Sequence, residues 1–115
     1  MDVSFLQEVE KFTNLKTSLD VKKRNAFEKA QNKLNFAYNG GLFKADPQTI
    51  LFAKLHDSSR DLILLDVNQN PICISDVVQF ITKAESSYYE AMNEYHILHE
   101  ELKSQRSVKK VMGND

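Results

Sequence analysis

The stretch Val77–Leu102, VVQFITKAESSYYEAMNEYHILHEEL, decides how the chain is read. Within it Val77, Ile81, Ala84, Tyr88, Ala91, Tyr95, Leu98 and Leu102 recur at alternating intervals of four and three. Such spacing holds one apolar stripe of a long helix against a partner, the geometry of a coiled-coil seam. Just before the stretch stand Ser75 and Asp76. Serine is a favoured N-cap, and the aspartate sets negative charge against the positive end of the helix dipole. No glycine or proline intervenes from Val77 to Met112, and Lys103, Arg106, Lys109 and Lys110 suit the opposite end of the dipole. One long helix over 75–112 is expected.

A mate for this helix is expected in the first third of the chain. There Phe5, Val9 and Phe12 share a helical face, and Leu19, Ala26, Ala30, Leu34 and Ala37 continue one. Asn14–Asp20 (NLKTSLD) is rich in side chains that compete for backbone hydrogen bonds, which predicts a break or kink. Asn39-Gly40-Gly41 offers the left-handed conformation of a helix C-cap, so the helical segment is expected to span 1–39. Between Lys11 and Lys33 this segment holds seven basic residues, including Lys22, Lys23 and Arg24, against Asp20 and Glu28. The later helix carries Glu85, Glu90, Glu94, Glu100 and Glu101. Opposite signs favour an antiparallel pair, with 16–33 facing 80–97. Exposed ion pairs contribute only about 0–1 kcal/mol each, so they choose register while apolar burial holds the helices together.

Between the helices the period changes. Thr49–Leu55 and Leu62–Val67 are short apolar runs parted by Asp57–Asp61, and Asn68-Gln69-Asn70-Pro71 leads into Ile72-Cys73-Ile74. The segment 42–74 reads as a small antiparallel sheet of two or three strands, the last two joined as a hairpin. Asp46-Pro47 also fits the start of a short helix over 47–56, with an N-cap followed by proline at the first helical position. The expected fold is α+β, mostly α: a single domain of two long antiparallel helices flanking this β element.

Bulk composition narrows the classes. The chain has 115 residues, 42% of them hydrophobic and 27% charged, ordinary values for one folded domain. A net charge of -1 gives no general electrostatic pull toward nucleic acid, which leaves only local patches. The single cysteine, Cys73, cannot form an intramolecular disulfide, and the N-terminus is acidic where a signal peptide is basic. No apolar run approaches the roughly 20 residues that span a bilayer. A cytoplasmic protein with no membrane association is expected, in the host cytoplasm or the virion if viral.

No constellation for chemistry emerges. His96 and His99 lie three apart rather than the four of a zincin helix, and Asn93 occupies the position a di-iron Glu-x-x-His motif would give to glutamate. Asp66-Val67-Asn68-Gln69-Asn70 imitates the start of a calcium loop, but Pro71 stands where glycine is required and Val77 where a bidentate glutamate belongs. Turn chemistry explains those asparagines better. Cys73, between two isoleucines, reads as a small buried hydrophobe. Tyr88 and Tyr95 fall on the seam, leaving Tyr89 as the surface aromatic. No enzyme, metal or cofactor is expected.

The segment LILLDVNQNPICISDVVQF (Leu62–Phe80), followed by YYEAMNEYHILHEELKSQR, resembles small accessory proteins of large contractile-tailed phages, which join a hairpin to a long helix. The resemblance covers the C-terminal half and implies a structural role with no catalytic residues. In outline the chain is also similar to a prefoldin beta subunit, which implies a holdase chaperone. The leading expectation is a non-enzymatic interaction or assembly protein, homo-oligomeric or bound to a protein partner through its helical seam and sheet edge. The alternative is a nucleic-acid accessory factor using Lys22, Lys23, Arg24, Arg106, Lys109 and Lys110.

Overall fold

The computed structural model describes the backbone of residues 3–112 and the side chains of residues 4–105. Its elements run α1 (Val3–Lys33), β1 (Asn35–Tyr38), β2 (Gly41–Lys44), α2 (Pro47–Lys54), β3 (Leu62–Leu65), β4 (Pro71–Ile74) and α3 (Val77–Met112). The fold is α+β, with two long helices and two separate antiparallel two-stranded sheets, β1–β2 and β3–β4. The chain divides into two compact units. One comprises Ala30–Glu94, and the other is formed by the helical segments up to Lys29 and from Tyr95 onward.

The Ala30–Glu94 unit is built around Phe80, which is fully buried. Its ring lies 5.3 Å from Phe36, 5.4 Å from Tyr38 and 5.2 Å from Phe43, edge-on to the last two. Phe80 stands outside the 4-3 repeat. Seam positions Val77, Ile81, Ala84, Tyr88 and Ala91 join the same core, and Ala84 and Ala91 are wholly buried. Here the inward face of α3 is wider than a coiled-coil stripe, because Phe80, Ser87 and Met92 are also partly or fully covered. A helix packed on sheets buries a broad face, whereas a two-stranded seam buries a narrow one.

The helical segment does not reach residue 39: α1 stops at Lys33, and Asn35–Tyr38 pairs with Gly41–Lys44. Asn39 (φ 48°) and Gly40 (φ 80°) both have positive φ, as a two-residue hairpin turn of the primed type requires. The Asn-Gly pair is therefore a hairpin turn rather than a helix C-cap. Thr49–Leu55 is not a strand, and the short-helix reading holds. Asp46 caps α2 by accepting from the Thr49 N–H at 2.7 Å, and Pro47 occupies the first turn. The cap of α3 is Asp76 rather than Ser75, since its carboxylate accepts from the Gln79 N–H at 3.0 Å.

The two hairpins are joined by Asp66. One carboxylate oxygen accepts from the Asn68 and Asn70 N–H groups at 3.0 and 2.8 Å, which closes the β3–β4 turn. The other accepts from the Leu42 N–H on β2 at 3.3 Å, and the Val67 N–H donates to the Leu42 carbonyl at 2.8 Å. Asp66 is thus a buried structural clamp. The hairpins approach so closely at Gly41 that a Cβ there would lie 2.9 Å from Ile72 Cγ1.

In the helical unit α1 is continuous through Asn14–Asp20, with no kink. Thr13 and Thr17 donate their hydroxyls to the carbonyls of Val9 and Thr13, four residues back, so the helix itself satisfies these side chains. Ala26 is buried, and Phe27 meets Tyr95 edge-on at 6.0 Å between ring centroids. Leu98 and Leu102 are half-buried.

Candidate interaction surface

The polar candidates stay apart. His96 and His99 are exposed, His99 stacks on Tyr95 at 6.3 Å, and among the described residues no three His, Cys, Asp or Glu side chains gather around a common point. Cys73 is exposed rather than buried, because the strand alternation turns Ile72 and Ile74 inward and the thiol outward. Lys22, Lys23 and Arg24 are all exposed on α1. Arg106, Lys109 and Lys110 lie outside the residues whose side chains are described. Tyr89 is exposed and packs edge-on against Tyr88.

The acidic flank of α3 is engaged by two other elements. Lys33 pairs with Glu94 and lies 4.0 Å from Glu90, while Lys54 on α2 bonds Glu85 at 2.5 Å. The hydrogen bond to Glu94 raises the Lys33 pKa, and that to Glu85 raises the Lys54 pKa. Lys33 therefore faces 90–94, where the register drawn from charge alone set it opposite 80. The shift has a simple cause: α1 ends at Lys33, and the hairpin β1–β2 packs over Phe80 instead. From Lys33 to Tyr38 the contacts on α3 and its cap pass from Glu94 to Asp76, which is the antiparallel sense.

Seam residues Val77, Ile81, Ala84, Tyr88 and Ala91 pack on the chain's own core, and Tyr95 packs on Phe27. The exposed apolar surface of the Ala30–Glu94 unit lies elsewhere. Helix α2 turns Ala53 and Ile50 toward the core and leaves Leu51 (58% exposed), Phe52 (58%) and Leu55 (74%) outside. Strand β3 directs Leu62 and Leu64 inward and leaves Ile63 (60%) and Leu65 (65%) outside, with Val67 (47%) just beyond. Between α2 and β3 runs an open groove of about 600 Å³, lined by Leu51, Phe52, Leu55, Leu64, Leu65 and Val67 among others.

Reading residues 49–55 as a strand hides this surface. As a helix, the same residues are apolar on both faces, and only one face can meet the core. The Asp46-Pro47 start carried the signal. The arrangement offers apolar contact area and backbone hydrogen-bonding groups. No helix among the described residues is long and apolar enough to cross a membrane. Comparison with family models, curated proteins and solved structures finds no match.

Proposed function

We propose that this chain is a non-enzymatic interaction or assembly protein that binds an apolar protein surface through α2 and β3. The exposed cluster of Leu51, Phe52, Leu55, Ile63, Leu65 and Val67 carries the reading. Scattered apolar residues on a surface are ordinary, whereas a contiguous patch around a groove marks a contact site. The coiled-coil-like repeat of α3 then serves inside the module, holding the hairpins that present the patch. A multi-subunit assembly such as a phage tail is one setting for such a module, consistent with the resemblance of the C-terminal half.

The test is photo-crosslinking from position 52 in the cells that produce the protein. Benzoylphenylalanine at Phe52 is expected to give a discrete protein adduct, and the same group at the exposed Asn93 is expected to give none. Absence of any adduct from position 52 overturns the reading.

A second reading rests on the exposed run Lys22-Lys23-Arg24, a patch able to hold phosphates. It predicts binding of DNA or RNA that falls steeply with salt. No mobility shift at about 50 mM salt removes it.

A further inference from the structure

The two edges of the β3–β4 hairpin are treated differently. The Asp66 N–H donates to the Asn70 carbonyl at 3.0 Å, which makes 66 and 70 a hydrogen-bonded pair. Hydrogen-bonded and non-bonded pairs alternate along an antiparallel ladder, so 64–72 and 62–74 bond inward while 63–73 and 65–71 direct their backbone groups outward. Two observations agree. Pro71, which has no N–H to give, occupies an outward position, and the outward carbonyl of Cys73 accepts from Asn39 Nδ2 at 2.9 Å.

The β4 edge is thus closed by a proline and by the Asn39 side chain. On the β3 edge the Val67 N–H donates to the Leu42 carbonyl of β2 at 2.8 Å, but the edge is open at Ile63 and Leu65: among the described residues nothing hydrogen-bonds to their outward N–H and C=O groups. Proteins that remain monomeric blunt such an edge with lysine, proline or a bulge. Leu62-Ile63-Leu64-Leu65 contains none of these, and the apolar groove of α2 runs beside it.

Resting on the interaction reading above, we infer that the occupant of this edge is a second copy of the chain, joined by antiparallel β3–β3′ pairing about a two-fold axis through Leu64. Ile63 then exchanges hydrogen bonds with Leu65 of the other copy, and Leu65 with its Ile63. The two isolated hairpins become one four-stranded sheet, a size that is stable where a lone two-stranded ribbon is marginal. A two-fold contact must be complementary to itself, and a patch of six apolar side chains meets that condition, the charged residues of the groove being Lys44 and Asp66, of opposite sign. The exposed fractions of Leu51, Phe52, Leu55, Ile63, Leu65 and Val67 amount to roughly 600 Å² of apolar surface, as large as the biggest patch on an ordinary monomer. Two copies that covered the whole patch would bury on the order of 1,200 Å² together, the lower limit for a specific, stable interface.

Sedimentation equilibrium of the full chain tests the pairing, and disulfide trapping tests its register. The expected mass is twice 13.2 kDa at micromolar concentration. Leu65→Lys sets like charges beside the axis and weakens the dimer by about tenfold or more, with an unchanged far-ultraviolet circular dichroism spectrum. Val78→Lys, at an equally apolar and exposed site on α3, leaves the mass unchanged. In a Cys73→Ser background, an equimolar mixture of Ile63→Cys and Leu65→Cys chains forms disulfide dimers faster than either chain alone, because hydrogen-bonded partners hold their Cα atoms about 5.5 Å apart. A monomeric wild type at several hundred micromolar overturns the inference, as does a dimer indifferent to Leu65→Lys. Failure here is separable from failure of the interaction reading: a monomer that still crosslinks from position 52 to a different protein removes only self-pairing, and a monomer with no adduct removes both.

Discussion

Tyr38 and Asp76 exchange two hydrogen bonds: the phenol donates to the Asp76 carbonyl at 3.1 Å and accepts from the Asp76 N–H at 3.0 Å. The last residue of β1 is thereby tied to the residue that caps α3, while the Tyr38 ring packs edge-on against Phe80. Tyr38→Phe keeps the ring and removes both bonds. We expect a loss of about 1–2 kcal/mol in urea unfolding, the range for a polar group left without its partner. An unchanged midpoint would show that water replaces the phenol at no cost.

Gly41 is constrained by space. An alanine Cβ would lie 2.9 Å from Ile72 Cγ1, 3.1 Å from a Phe43 ring carbon and 3.3 Å from Asp66 Cβ, and the last of these belongs to the clamp between the hairpins. Gly41→Ala is expected to cost about 1–3 kcal/mol, the usual penalty for overpacking. Because Ile72 is the nearest obstacle, Ile72→Ala should recover part of that loss, so the double variant is more stable than the two single effects summed. Strict additivity in denaturant melts would place the strain elsewhere.

How far the sequence discloses this arrangement depends on whether local pattern or tertiary contact decides each element. The 4-3 repeat of α3 and the β3–β4 hairpin follow from local pattern, since turn residues at 66–71 and a short apolar run on either side agree. Asn39-Gly40 is equally local and signals a hairpin turn, but the alanine spacing of α1 is also compatible with a longer helix. The dominance of Phe80 was not legible, because its burial comes from β1 and β2 folding over a position outside the repeat. The candidate surface was hidden for a related reason. A short segment that is apolar on both faces gives no period from which to choose strand or helix, and the choice rests on one cap.

Gln69 adopts φ 65° in the β3–β4 turn, where its N–H donates to the Asp66 carbonyl at 2.9 Å. A residue with a Cβ loses about 1–2 kcal/mol in that conformation, and glycine avoids the loss at an entropic cost of roughly 0.5–1 kcal/mol. Gln69→Gly should therefore stabilise the chain by about 0.5 kcal/mol. A destabilised variant in urea melts would mean that the glutamine side chain makes a contact of greater worth than the strain.

Asp66 should make the hairpin junction sensitive to acid. The Asn70 N–H above all, then those of Leu42 and Asn68, hold its carboxyl below the ordinary aspartate range, against a partial desolvation that acts upward. A carboxylate with a depressed folded-state pKa adds stability that is fully present above the unfolded value, about 3.9, and is lost as pH falls through the folded value. Asp57 is also shifted down, chiefly by the Ser59 N–H, so acid unfolding of the wild type alone mixes the two groups. The difference between wild type and Asp66→Asn separates them. Asparagine keeps one acceptor oxygen for the turn, but presents an amide N–H₂ to the Leu42 N–H and cannot close the contact to β2. The stability gap measured by urea melts is expected to be widest above about pH 5 and to narrow below about pH 4, as the wild-type carboxyl takes up its proton. A gap that stayed constant from pH 6 to pH 2 would show that the charge of Asp66 contributes nothing to the junction and that its shape alone matters.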